Sequence, residues 1–140
     1  MNIVDNKIKE YENFLEDVLK KDLKEINIKL NQSVEKYEEW ENLQNTIRIW
    51  QTLNEKDLKM LVPLGSNINV NATAEEYDKL LVDIGVGCLL EMSFEEALKY
   101  SNIRMKVLKK DIDHYRQLAV HVKVKMKLVL LGINELTLTK

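Results

Sequence analysis

Residues 60–92 read MLVPLGSNINVNATAEEYDKLLVDIGVGCLLEM. Two strand-like pairs stand in this block. Met60–Leu64 and Asn67–Asn71 flank Gly65-Ser66, and Lys79–Ile84 and Cys88–Met92 flank Gly85-Val86-Gly87. Apolar and β-branched runs on both sides of a glycine-containing turn predict two β-hairpins. Pro63 has no N–H to donate, which places it at an edge or a bulge. Four strands in about 30 residues cannot close a core of their own, because edges stay unpaired and apolar surface stays exposed. The block (59–92) is therefore expected to pair with other subunits.

On its N-terminal side, residues 5–58 contain neither Gly nor Pro. Apolar and aromatic residues fall at Ile8, Tyr11, Leu15, Leu19, Leu23, Ile26, Leu30, Val34, Tyr37, Trp40, Leu43, Ile47, Trp50 and Leu53. The mean step is about 3.5 residues, the spacing of a coiled-coil seam. Runs of 4-4-4 and 3-3-3 steps interrupt the alternation and should shift the supercoil locally. A helix over 5–58 would be roughly 75–80 Å long.

On the C-terminal side, two rows repeat every seven residues without a slip. One is Leu98, Met105, Ile112, Ala119, Met126 and Ile133; the other is Ser101, Leu108, Tyr115, Val122, Val129 and Leu136. They predict a second helix over 93–138. Ser93 and Glu96 make a capping box at its start. The stretch AVHVKVKMKLVL (119–130) also alternates like an edge strand, but the heptad rows run through it unbroken, so it is read as helix. The fold class is α+β, mostly α. A long antiparallel coiled-coil hairpin of helices is joined by two short β-hairpins, in one domain over 1–140.

Composition agrees. The chain has 140 residues, 45% hydrophobic and 31% charged, with four Gly and one Pro. That is too apolar for disorder and too poor in Gly and Pro for an all-β protein. Net charge is −2, with acid in excess before residue 93 and base in excess after it, so the two helices attract. The basic third reads as a solvated helix face rather than a nucleic-acid site. No apolar run is long enough to span a membrane, and MNIVDNKIKEYE lacks the apolar core of a signal peptide. A cytosolic or nuclear location is expected.

Little in the chain suggests catalysis. A single cysteine, Cys88, excludes an internal disulfide and reads as a strand packing residue. His114 and His121 share a helix face but stand about 10.5 Å apart along it, too far to share a metal whose ligands sit about 2 Å from it. The carboxylate pairs Glu38/Glu39, Glu75/Glu76 and Asp111/Asp113 sit in no recognisable catalytic constellation and read as solvated charge. Gly85-Val86-Gly87 lacks the spacing of a phosphate loop and reads as a turn. Trp40 and Trp50 lie on the first helix's stripe and read as seam packing. No cofactor, no metal and no enzymatic activity are expected.

The order helix, hairpin, hairpin, helix resembles the α-class prefoldin subunits. LVPLGSNINV (61–70) is similar to the family's first hairpin, and KLLVDIGVGCLLEMSFEEALKY (79–100) to its second hairpin and second-helix start. LVDIG-x-G is the most specific part, and the likeness runs from about Lys7 to Leu138. Val70-Asn71-Ala72-Thr73 stands where conventional α subunits carry a Val-Pro-Gly turn, so the chain resembles the prefoldin-like branch, to which YENFLEDVLKKDLKE (11–25) and LEMSFEEALKY (90–100) are also similar. Within that branch it departs from the usual pattern in the fourth strand, where Cys88-Leu89-Leu90 replaces an aromatic pair.

The resemblance implies binding rather than catalysis, in a hetero-hexamer with other α-class and β-class subunits. Leu61, Leu64, Ile68, Val70, Leu81, Val82, Ile84 and Leu89 would carry assembly. The free helix ends, with Ile3, Val4, Ile8, Leu131, Leu136 and Leu138, would hold unfolded or assembling clients. Val120, Val124, Leu128 and Leu131 step by 4, 4 and 3 off the seam. Their stripe is expected to meet a client or a neighbouring coil, with Lys123, Lys125 and Lys127 around it. Two alternatives stand beside this: a transcription coregulator or adaptor that binds folded regulators, transcription factors among them, through the coil, and a conventional α subunit that delivers clients to a chaperonin. The family implies cytoplasmic and nuclear location, with no direct nucleic-acid contact.

Overall fold

The computed structural model describes residues 3–52, 58–74 and 78–139. Its elements are α1 (Ile3–Phe14), a π turn (Leu15–Leu19), α2 (Lys20–Thr52), β1 (Leu58–Gly65), β2 (Ile68–Ala74), β3 (Lys79–Gly85), β4 (Cys88–Ser93) and α3 (Phe94–Leu138). Helix, two hairpins and helix follow in the expected order. The first helix stops short of its predicted end, since Leu58 already belongs to β1. Leu53 and the pair Glu75/Glu76 lie outside the described residues. The chain forms two compact units, residues 1–38 with 106–140, and residues 39–105.

In the first, helical unit, Leu15, Leu19 and Val122 are buried, with Leu23, Ile26, Met126 and Val129 packed against them. The Tyr11 ring lies over Gly132, where a Cβ would meet it at 3.8 Å. Every predicted row residue of α3 is buried or half-buried, from Leu98 to Leu136. The strand-like stretch 119–130 is helical, because Ala119, Val122, Met126 and Val129 reach the seam only in that conformation. Seam burial at about 1.5–3 kcal/mol per large side chain outweighs the few tenths by which each β-branched valine disfavours helix.

The π turn has a cause in the spacing. Tyr11, Leu15, Leu19 and Leu23 are separated by steps of 4, 4 and 4. In a regular α-helix each such step over-rotates by about 40°, so three would carry the stripe about 120° off the seam. A π turn accommodates one extra residue, about 100° of rotation, and keeps Leu15 and Leu19 buried. The 4-4-4 irregularity coincides with the single π turn Leu15–Leu19.

In the second unit, Ile47, Val82, Met92 and Ala97 form the core, with Trp40, Leu43, Leu80, Phe94, Leu98 and Tyr100 packed around them. The helix segments pair antiparallel. Trp40 meets Tyr100 edge to face, ring centroids 5.5 Å apart, and Trp50 meets Phe94 at 6.3 Å. Both tryptophans are seam packing, as their stripe position implies. α3 begins at a formed capping box, the Glu96 N–H donating to Ser93 Oγ at 3.2 Å and the Ser93 N–H to Glu96 Oε2 at 3.4 Å.

Candidate assembly surface

β1 pairs only with β2, and β3 only with β4, both antiparallel; among the described residues no third strand joins either ladder. Each hairpin therefore keeps a row of unpaired N–H and C=O groups on both outer edges. The two turns are built alike. Pro63 pairs with Asn69 and Gly65 with Ile68, so the register slips between Pro63 and Gly65; Asp83 pairs with Leu89 and Gly85 with Cys88, with the same slip. Gly65 and Gly85 take φ of +96° and +99° at these bulges, a backbone open to glycine at no steric cost. The loop residues Ser66-Asn67 and Val86-Gly87 all have positive φ, the signature of a type I′ turn. Asn67 is thus a turn residue rather than the strand start expected from sequence. Pro63 sits at the bulge.

Register assigns the faces. On the first hairpin, Met60 lies opposite Ala72 and Val62 opposite Val70, which makes one apolar face. Lys59/Thr73, Leu61/Asn71 and Pro63/Asn69 make the other, more polar face. None of these residues joins a buried core cluster. The apolar face is consequently open, with Met60 and Val70 exposed and Val62 and Ala72 half-buried.

The second hairpin is split between two tasks. Val82 and Met92 face the unit's own core. Leu81, opposite Glu91, and Leu89, opposite Asp83, face outward. Leu81 is 69% exposed and Val82 5%. Val82, expected among the assembly residues, is thus corrected to a core residue: the period of two turns it inward when Leu81 points out. Leu61, Leu64, Ile68, Val70, Ile84 and Leu89 are exposed. Cys88 is also exposed rather than packed.

Met60, Val62 and Leu90 were not singled out from sequence. Asn69-Val70-Asn71-Ala72-Thr73 alternates strictly, but it selects Met60 and Val62 as its partners only through the register shift between Pro63 and Gly65. Leu90, also exposed, shares the inner face of β4 with Met92 but lies outside the core cluster. Electrostatics on the hairpins are light. Lys79 and Glu91 approach at 3.9 Å with both side chains largely in solvent, a contact worth about 0–1 kcal/mol. The Asp83 carboxylate accepts the Gly85 N–H at 2.9 Å and stiffens the second turn.

The residues expected to touch clients lie in the helical unit. Ile3, Val120, Val124, Leu128, Leu131 and Leu138 are exposed. Val4, Ile8 and Leu136 are half-buried. His114 and His121 are both exposed, as are Glu38, Glu39, Asp111 and Asp113. Among the described residues no group of three His, Cys, Asp or Glu comes together, and no helix is long and apolar enough to cross a membrane.

A layout of paired helices carrying two open hairpins has known counterparts. The family described as prefoldin subunit matches residues 19–130. The chain belongs to the prefoldin family. It is 33% identical to a Nematostella vectensis protein named Protein UXT homolog over 135 residues, 95% of this chain and 85% of that one. It is 28% identical to Homo sapiens Protein UXT over 130 residues, 93% of this chain and 83% of that one; UXT stands for ubiquitously expressed transcript. Among solved structures, a chain of the cryo-EM structure of filamentous PFD from Methanocaldococcus jannaschii superposes with a TM-score of 0.68 at 22% identity, covering 86% of this chain and 98% of that one. That likeness shows the fold. The prefoldin family is chaperone-like and non-enzymatic, and its members form oligomers with other prefoldin subunits. This prefoldin-family chain is a prefoldin-like subunit.

Proposed function

We propose that this prefoldin-family chain is the non-enzymatic α-class subunit of a prefoldin-like co-chaperone complex, assembling through its hairpins and engaging clients through its helical unit. The observation that carries this is the first hairpin: an apolar face of Met60, Val62, Val70 and Ala72, with both strand edges unpaired among the described residues and no part in a core cluster. A two-stranded hairpin is marginal in water by itself. Added strands from other subunits would satisfy its edges and cover its apolar face. Leu81 and Leu89 offer the second hairpin's outward face to the same purpose. The exposed apolar residues of the helical unit would hold clients by several weak contacts at once, without nucleotide.

Light scattering tests the reading. The chain is measured alone and mixed with β-class prefoldin subunits. A defined hetero-oligomer with about two α-class chains per four β-class chains supports it. A well-folded monomer in both samples overturns it. The assembled complex is then tested for suppressing aggregation of denatured clients. An adaptor would instead bind a folded partner stoichiometrically and leave aggregation unchanged.

A further inference from the structure

We infer that the outward face of α3 between Val120 and Leu131 is a docking strip for an acidic amphipathic helix of a folded partner. The inference rests on the reading of the helical unit as a binding surface, and it is independent of assembly through the hairpins. Val120, Val124, Leu128 and Leu131 all stand in solvent. At about 100° per residue they fall within about 80° of one another, on the side away from the seam residues Val122, Met126 and Val129. Their steps of 4, 4 and 3 sum to eleven residues in about three turns, so a straight helix can follow the strip for that distance. A loose surface scatter of valines would have no such line.

Charge selects the occupant. Arg116, Lys123, Lys125 and Lys127 are all exposed, and no acidic residue occurs between Asp113 and Glu135. Lys123 and Lys127 border one side of the strip; Lys125 and His121 border the other. Within this stretch of α3 the lysines have no acidic neighbour on their own helix. A partner helix with apolar residues at matching intervals and Glu or Asp along its flanks would cover the leucines and valines and neutralise the rim together. A second copy docked through the same face would set Lys123 and Lys127 against the same lysines, so self-pairing through this face is disfavoured.

The full chain is titrated with a labelled peptide of about 18 residues, helical, with Leu at i, i+4, i+8 and i+11 and Glu on both flanks. Binding in the micromolar range is expected. Lys123→Glu with Lys127→Glu weakens it by about tenfold or more, and a Lys-flanked version of the peptide then binds the doubly changed chain better than the original does. Val124→Glu with Leu128→Glu abolishes binding of both peptides. All four positions are exposed, so far-UV helicity and thermal midpoint stay as in the parent chain. No binding, equal binding of a composition-matched scrambled peptide, or failure of the charge swap overturns the inference. Binding to phosphatidylserine vesicles that Val124→Glu with Leu128→Glu removes, without peptide binding, overturns it in favour of a lipid surface. Suppression of client aggregation that depends on Val124 and Leu128 but not on Lys123 and Lys127 overturns it as well, while leaving the client reading intact.

Discussion

The Gln44 side-chain amide donates to the Ser101 hydroxyl at 2.8 Å, inside a seam that is otherwise apolar on both sides. The same amide donates to Asn102 Oδ1, and the Ser101 hydroxyl donates onward to the Leu98 carbonyl at 2.8 Å. Among the described residues Gln44 and Ser101 are the buried polar side chains. A polar layer at a seam position fixes which residues face each other at some expense in stability. Ser101→Ala leaves one Gln44 donor proton unmatched and should lose about 1–3 kcal/mol. Adding Gln44→Leu removes the unmatched group and should restore stability to the parent value or above. Urea denaturation of both variants and the Gln44→Leu single change completes the cycle. A double change as unstable as Ser101→Ala would show that the layer is not an isolated pair.

Leu81 and Val82 are neighbours in sequence with opposite duties. Leu81→Lys places a cation opposite Glu91 on an exposed face and should change the chain's own stability by no more than about 0.5 kcal/mol. Assembly with β-class subunits should nevertheless weaken sharply. Val82→Ala removes two methyl groups from the core around Ile47 and Ala97 and should lose about 1–3 kcal/mol. Thermal denaturation reads stability and light scattering reads assembly. If Leu81→Lys assembled normally, the outward face of β3 would have no role in oligomer formation.

The contrast between these two residues shows where the sequence was legible. Heptad rows predicted α3 through a stretch that also alternates like a strand, because Ala119, Met126, Val122 and Val129 hold one face in helical spacing. Ser93 and Glu96 marked the start of α3. The hairpins were legible from their glycines, but the facing of their residues was not. That depends on bulges at Gly65 and Gly85, which shift register by one and exchange faces. Without those bulges the pattern of β3 does not tell Val82 from the outward Leu81. The polar layer was half visible: Ser101 lay in a predicted row, while Gln44 falls beside Leu43 and off the apolar count. The steps of four from Tyr11 to Leu23 signalled an irregularity, without stating that one turn would contain it.

Val86 carries φ +56° and is fully exposed at the second turn. A left-handed conformation costs a β-branched residue about 1–2 kcal/mol, and Asn adopts it more readily. Val86→Asn gives the turn the Asn-Gly pair that type I′ geometry favours. Local stability of the second hairpin should rise by about 1 kcal/mol, read by slower amide exchange across β3 and β4. Assembly should be unaffected if Val86 is only a turn residue. Weaker assembly from a more stable hairpin would instead place the exposed isopropyl group in a subunit contact.

The π turn makes a sharper prediction, because one inserted residue should be removable. Asp17 is exposed within Leu15–Leu19. Deleting it shortens the Leu15-to-Leu19 step to three, so the stripe from Tyr11 to Leu23 runs 4-3-4 and fits a regular α-helix. The seam is preserved, and stability should change by no more than about 1 kcal/mol. Deleting exposed Glu25 shortens the Leu23-to-Ile26 step to two and turns everything before it about 100° relative to Ile26. Leu15, Leu19 and Leu23 could not all remain against Val122 and Met126, and the loss should be about 3 kcal/mol or more. Urea denaturation followed by far-UV circular dichroism separates the two. Equal losses for the Asp17 and Glu25 deletions would sink the account of the π turn as an absorbed insertion. A small loss for the first beside a large loss for the second would mean that the seam, rather than the local hydrogen bonding of the turn, decides where Leu15 and Leu19 lie.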